Sequence, residues 1–543
     1  MWPLRDGGGL VSDGDWGKPK GLDSFAALRK QWFKRIFGVG SGAAVAGACA
    51  CKEPMLSASE TATLRNDLQA FLLTQGLSAD NNITTGQPLA LGLMEACQQV
   101  CGDVDTKLTQ QLAEGVPTGV VNTIPASSVW QQVDVAERPE LSLLVWDEPW
   151  QSGSDDPKTL LGLVQADVDD GFAEWLSGGL AEARERFGEL CAAGKLGLVH
   201  RDGAAPRLIG DSSVSIANAL CRIEERVELP GLRDVAAFLS RYPEQSWSAF
   251  SLDISKAHKR VKVHPSERGL SLFSLRDPCG KQRWVVYHTC TFGCSWAAYW
   301  WSRVGAVFVR LGYQLLFHMH FLCMYVDDSL ALLPRKLAGP MACLLVCLAC
   351  CLGFPLSWHK LSLGDAIEWI GWQICLAGEP HALLPANKLS NLLCALHQLC
   401  GSARSVPRKV LQTLVGRLVW YTNGAFWLKP WMATWFHMLR KPRLRFAQLD
   451  NEQLEEVCAV LDAHCIVKSR GQCSDVQVGW RLLTVNGRAV CRPQDALSFP
   501  VKRNKAWLKF GEPEAANISI AKEERATARF FRQLLLLQEE VPH

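Results

Sequence analysis

Three carboxylates in this 543-residue chain stand where carboxylates are costly. Asp327 and Asp328 are adjacent, between the apolar runs Phe321 to Tyr325 and Ser329 to Leu333, and Asp253 closes a third apolar run, Ala249 to Leu252. Such runs read as buried strands, and two neighbouring anions at the tip of a buried hairpin repel one another. Successive side chains of a strand point to opposite faces, so Asp327 and Asp328 can serve one site only if the chain turns there. A divalent cation would offset the repulsion and give the pair a purpose. After Asp253 the pattern alternates, with Val261 and Val263 apolar and Lys262 and His264 polar. Two strands that bring Asp253 beside Asp327 would offer hard oxygen ligands for two Mg²⁺ ions, with Mn²⁺ as a substitute. Paired metals of this kind activate an attacking oxygen and stabilise a leaving one during in-line phosphoryl transfer.

Other segments must position these acids. Ser295 to Leu311 and Met341 to Leu352 have the apolar density of buried helices, and Leu180 to Ala193 reads as a helix too. Together with the strand runs they predict an α+β fold, a mostly antiparallel sheet bearing the acids and backed by helices. Leu337 to Trp358 is uncharged, but Gly339-Pro340 and Gly353-Phe354-Pro355 interrupt it, so no membrane role is expected. The net charge is only +3, yet no acidic residue lies between Glu379 and Asp450. That interval carries Lys388, Arg404, Arg408, Lys409, Arg417, Lys429, Arg440, Lys441, Arg443 and Arg445, interleaved with Trp420, Tyr421, Phe426, Trp427, Trp431, Trp435 and Phe436. Cations neutralise phosphates and aromatic rings stack on bases or fill a core, so this arm is expected to contact nucleic acid.

Five segments in order carry a family resemblance. They are Pro206-Arg207-Leu208-Ile209-Gly210-Asp211 followed by Asn218, Leu252 to His258, Thr291 to Ala298, Tyr325-Val326-Asp327-Asp328, and Leu352-Gly353-Phe354 with Lys360 and Trp369-Ile370-Gly371-Trp372. Over about Asp155 to Arg445 the chain resembles reverse transcriptases. In motif style it is most similar to those of tyrosine-recombinase-type retrotransposons and pararetroviruses, because Phe292-Gly293 stands where retroviral enzymes place glutamine before the glycine.

The resemblance implies a right-hand polymerase of fingers, palm and helical thumb. Such an RNA-directed DNA polymerase extends a primer on an RNA or DNA template with deoxynucleoside triphosphates. It implies Asp253, Asp327 and Asp328 as catalytic metal ligands and Lys360 as a catalytic cation or proton donor near the departing pyrophosphate. Arg207 would grip the triphosphate with its planar, permanently charged fork. Ile254, Phe292 and Gly293 would line the nucleotide. His258 matches the position whose Phe or Tyr usually blocks the ribose 2′-hydroxyl, so it is expected to act as the sugar gate with a smaller, polar ring. Arg404, Arg408, Lys409 and Arg417, with Trp369 and Gly371 of the primer-grip hairpin, would hold the template–primer duplex.

By the same reading, residues 155–385 form fingers and palm, and 386–450 form thumb and connection. Residues 1–150 are expected to be largely flexible, with short helices at Glu60 to Leu73 and Leu89 to Cys101 and no assigned chemistry. In 451–543, Ser474 to Trp480, Val485-Asn486-Gly487 and Glu523 to Ala526 weakly resemble the opening of a ribonuclease H domain. Asp475 and Glu523 would be remnants of its acids, in a truncated and inactive segment. The 21 cysteines fall in apolar runs such as Cys343, Cys347, Cys350 and Cys351, which suits reduced thiols in an intracellular protein, cytoplasmic or nuclear. Cys97 with Cys101, or Cys49 with Cys51, lacks a complementary pair at zinc-ligand spacing. The first sixteen residues contain no apolar core of a signal peptide. Protein partners are left open, with a protein-partner or nucleic-acid-tethering role for residues 1–150 that the sequence does not decide. Two rival readings share these features: an RNA-dependent RNA polymerase, and a catalytically inactive retroelement remnant that binds nucleic acid.

Overall fold

The computed structural model describes residues 24–400 apart from 38–40, 84–86, 136–138 and 202, then 405–421 and short segments at 5–6, 9–10, 436, 439, 446–448, 467–468, 484–485 and 488–489. It is a mixed helix and sheet structure in two compact units, Met1–Pro230 with Phe250–Leu363, and Gly231–Ala249 with Gly364–His543.

The first unit contains a five-stranded sheet in the order Ala173–Leu176, Gln282–Tyr287, Leu272–Arg276, Ala193–Arg201 and Ala204–Asp211. Its neighbours pair antiparallel except for Ala193–Arg201 with Leu272–Arg276. Alternate residues Leu196, Leu198, Phe273 and Val285 share a core with Leu160 and Val164 of the helix Pro157–Asp169. That helix starts where Pro157 pre-sets its first turn and the Asp156 carboxylate accepts from the Thr159 amide at 3.1 Å. Leu180 to Ala193 differs from expectation. The helix covers Gly179–Phe187, Gly188 at φ +57° ends it, and Ala193 already opens a strand.

The acid-bearing sheet has four strands in the order Ser362–Gly364, Trp247–Asp253, Asp328–Pro334 and Phe321–Tyr325. The expected helices behind it are present as Ser295–Leu315 and Ala338–Cys351. The first is buried on nearly every side, which suits a central core helix. Gly312 lets it lie directly on the sheet, because a Cβ there would stand 2.4 Å from Leu322 Cδ2.

Residues 24–150 correct the expectation of a flexible leader. Helices Ala26–Phe37, Ser41–Cys51, Ala58–Thr74, Leu91–Cys101 and Leu108–Glu114 contribute Trp32, Leu68, Leu93 and Met94 to the same core as Trp300 and Val304. The Gly- and Ala-rich helix Ser41–Cys51 packs on Ala338–Cys351, where small side chains permit close approach. Charged residues find distant partners: Arg303 forks onto Asp105 at 2.9 and 2.5 Å, and Arg310 onto Asp103 at 2.7 and 2.8 Å. Breaking such a buried pair costs about 3–5 kcal/mol.

In the second unit, the hairpin Ala366–Trp369 and Trp372–Cys375 continues antiparallel to His381–Leu383. Helices Leu232–Arg241, Ala386–Cys400 and Arg408–Tyr421 belong to the same unit. Among the described residues no helix is long and apolar enough to cross a membrane. The described cysteines are all free, and burial pushes the thiols of Cys347, Cys350 and Cys351 up, so these side chains serve as apolar filling.

Candidate active site

Asp328 pairs with Tyr325, which leaves Val326 and Asp327 as the loop of a tight hairpin. Val326 sits at φ +56°, in the left-handed region. A β-branched residue there costs about 1–3 kcal/mol, so the surroundings must impose it. The Trp301 indole donates to the Val326 carbonyl at 2.8 Å, and the Ile254 amide donates to the Asp327 carbonyl at 3.0 Å. The Ser329 hydroxyl donates to the Leu252 carbonyl at 3.1 Å and accepts from its amide at 3.3 Å, tying the hairpin to the strand that ends in Asp253. The turn demanded by two adjacent acids is therefore present and fastened from both sides.

Asp253 is 5 % exposed, and its Oδ2 accepts from Lys360 Nζ at 2.6 Å. The short 3₁₀ turn Trp358–Lys360 presents that lysine, anchored by Ser357 N to the Asp253 carbonyl at 2.8 Å and Ser255 N to the Pro355 carbonyl at 2.7 Å. Burial, then the charges of Asp253 and Asp327 and a hydrogen bond shared with Asp253, push the Asp328 carboxyl up to about 7. Burial and the Asp253 charge also raise Asp327, while Lys360 and Arg207 act the other way. Negative charge is thus in excess, and a proton on Asp328 relieves it.

Among the described residues no group of three or more His, Cys, Asp or Glu side chains stands as a ready cage for a metal ion. Asp253 is instead engaged by Lys360 and Asp328. What fits Mg²⁺ is the donor chemistry, hard carboxylate oxygens with surplus negative charge.

His258 lies on the 3₁₀ turn Ala257–Arg260, buried, its ring 4.7 Å from that of the exposed Phe292 and tilted by 58°. Its Nδ1 has no hydrogen-bond partner, and burial lowers the imidazole to about 4, so it is neutral at physiological pH. Gly293 is required by geometry: at φ +98° a Cβ would stand 1.9 Å from the Gly210 carbonyl oxygen. This close approach joins the Phe292–Gly293 turn to the strand Ala204–Asp211, on which Arg207 is exposed. Asn218 clamps the same turn, donating to the Gly293 carbonyl at 2.6 Å and accepting from the Ser295 amide at 2.9 Å. Ile254 is buried, and its backbone holds the acid hairpin. Sequence reading did not assign roles to Trp301, Ser329 or Asn218. Trp301 and Ser329 carried no signal beyond core and strand positions, whereas Asn218 follows the Pro206–Asp211 segment.

In the second unit Trp369 is buried and pairs with Trp372, the tip Ile370–Gly371 is half-buried, and Ala366, Glu368 and Gln373 are exposed. Lys388 Nζ donates to Glu368 at 2.6 Å and to the Gly371 carbonyl at 3.3 Å. Arg417 is exposed on Arg408–Tyr421. The side chains of Arg408 and Lys409, and all of Arg404, Asp475 and Glu523, lie outside the described residues.

No family model and no curated protein matches the chain. Among solved structures, the foamy viral protease-reverse transcriptase dRH in complex with double-stranded DNA aligns at 13% identity, with a TM-score of 0.42, over 74% of this chain and 60% of that one. The foamy viral protease-reverse transcriptase in complex with double-stranded DNA aligns at 14% identity, with a TM-score of 0.38, over 74% of this chain and 71% of that one. The chain thus spans less than two thirds of the first of these proteins. At such identities the chemistry has to be read from the site's own residues.

Proposed function

We propose that this chain is an RNA-directed DNA polymerase of retroelement origin, with the right-hand arrangement in which the acid-bearing sheet is the palm. The observation that carries the reading is the buried carboxylate cluster: a strained hairpin turned onto Asp253, with Lys360 Nζ 2.6 Å from it. Asp253 and Asp327, with Asp328 beside them, would hold two Mg²⁺ ions, which would supply activation of the primer 3′-hydroxyl and charge stabilisation at the leaving pyrophosphate. Asp328 would have to be ionised to serve as a ligand, against the burial and the neighbouring charges of Asp253 and Asp327 that favour its proton. Arg207 neutralises phosphate oxygens of the incoming deoxynucleotide. Lys360, exposed and paired with Asp253, offers a cation or a proton to the departing pyrophosphate. Neutral His258, set against Phe292, meets the sugar as an uncharged wall. Catalysis here is orientation and electrostatics, as in other phosphoryl transfers. The basic interval from Lys388 to Arg445 supplies the sequence-independent grip on the template–primer duplex.

Primer extension on poly(rA)/oligo(dT) with Mg²⁺ or Mn²⁺ and dTTP tests this. Wild type should extend, and Asp327→Asn should lose at least about 10³-fold in rate while still binding duplex, the scale of removing a group that stabilises transition-state charge. A folded, duplex-binding wild type that never extends would leave a nucleic-acid-binding remnant. Faster extension with UTP than with dTTP would make it an RNA polymerase.

A further inference from the structure

A buried ion pair beside the nucleotide wall has no part in the chemistry above. Lys259 Nζ lies 2.6 and 2.5 Å from the two carboxylate oxygens of Asp167, and the Tyr287 hydroxyl donates to Asp167 Oδ2 at 2.9 Å. The side chains of Lys259 and Asp167 are 15% and 5% exposed. Three elements meet there: the last turn of helix Pro157–Asp169, the end of strand Gln282–Tyr287, and the 3₁₀ turn Ala257–Arg260. Lys259 is the residue after His258. Together with Tyr287, Thr291, Phe292 and Gly210 it also lines one small cavity, so Lys259 adjoins His258 in sequence and Phe292 across that cavity.

We propose that Lys259, held by Asp167 and Tyr287, is a positioning residue that fixes the His258–Phe292 wall and thereby sets the choice between deoxyribose and ribose. The inference rests on the polymerase reading. A buried ion pair adds little net stability over an apolar trio of the same volume, so its value lies in orientation. The turn needs orienting. It follows Lys256, which sits at φ +52°, and the hydrogen bonds from Lys259 N to the Lys256 carbonyl, Val261 N to the His258 carbonyl and Arg260 Nε to the Ser255 carbonyl all remain within the segment. The neighbouring Lys256–Asp170 pair is solvent-exposed on both sides and constrains little. The Lys259–Asp167 contact is therefore the buried charged tie between this turn and the rest of the unit among the described residues.

The test is single-nucleotide extension by the full chain with dTTP and with UTP, for wild type, Lys259→Met, Lys259→Arg and Asp167→Asn. A shift of about 1 Å in a substrate-positioning group can cost on the order of 10²-fold, so a displaced wall should be readily visible. Lys259→Met should raise KM for dTTP about tenfold and change the dTTP-over-UTP preference about tenfold, with kcat much less affected. Lys259→Arg, which keeps a cation on Asp167, should restore both. Asp167→Asn should act in the same direction, and it carries the test if Lys259→Met fails to fold. Lowered Tm with unchanged KM and unchanged preference would make the pair purely structural and overturn the inference. A wild type that extends with neither nucleotide overturns the polymerase reading, and this inference with it.

Discussion

The tight hairpins at Ile370–Gly371 and Val326–Asp327 have loops of the same length but carry opposite charge arrangements. At Ile370–Gly371 both loop residues have positive φ, +42° and +79°, and the second is glycine, which adopts that region freely. Its one charged neighbour, Lys388, is matched by Glu368. At Val326–Asp327 the left-handed position is given to a β-branched residue, two acids stand next to each other, and a third faces them. The first hairpin also places a β-branched residue, Ile370, at positive φ, but it follows it with a glycine and carries no unmatched charge. The second is held in place by its neighbours through Trp301, Ile254 and Ser329. Both turns strain a β-branched residue, but surplus charge is added to the strain only where chemistry is proposed, and at the other hairpin the charge is matched.

The largest stability effect expected is at the Ile370–Gly371 hairpin. Gly371→Ala imposes left-handed backbone on an L-residue, at about 1–2 kcal/mol. It also sets a Cβ 2.7 Å from Lys388 Nζ and 2.9 Å from the Trp420 ring. The lysine can move aside and the indole cannot do so easily. A loss of about 2–3 kcal/mol in urea unfolding is expected. A loss below about 0.5 kcal/mol would mean that this hairpin is no better matched to its surroundings than the acid-bearing one.

Next in size is the charge stored at the acid hairpin. Asp328 is raised from 3.8 to about 7, so the folded chain holds a proton that the unfolded chain releases across that window. In metal-free buffer wild-type stability should therefore fall as pH rises from about 4 to 7 and stay low above it. Asp328→Asn removes the Asp328 share of this dependence and leaves the smaller share of the raised Asp327. It should gain about 1–2 kcal/mol at pH 8, after allowance for solvent screening of a half-buried group, and nothing at pH 4. Thermal melts across that range with EDTA make the measurement. Mg²⁺ should restore the wild type at pH 8 and leave the variant less affected. A flat wild-type profile would show that the acids do not burden the fold.

How much of this contrast can be read from sequence depends on how local its causes are. The acid hairpin is legible because apolar runs flank Asp327 and Asp328 and period-two geometry then demands a turn. The helices Ser295–Leu315 and Ala338–Cys351 are legible from unbroken apolar density. The stop at Phe187 was marked by Gly188 and lost under helical periodicity. The N-terminal helices were not legible as core. Their fit depends on Arg303 meeting Asp105 and Arg310 meeting Asp103, with each pair some two hundred residues apart in sequence, and no local pattern announces such a match. The same limit hid Trp301, whose indole looks like filling until its carbonyl partner is seen.

The smallest expected effect separates strain from charge. Val326→Gly lets the loop take φ +56° without a Cβ penalty, worth about 1–2 kcal/mol, but adds unfolded-chain entropy of about 0.5–1 kcal/mol. The net gain should be about 0.5–1 kcal/mol in urea unfolding. If the strained valine also fixes where Asp327 points, extension should slow several-fold although the protein is more stable. Stability up and rate down would tie the two together at one residue. Greater stability with an unchanged rate would assign the aiming of Asp327 to the bonds from Trp301 and Ile254, and Val326 would then be a cost the site carries without using.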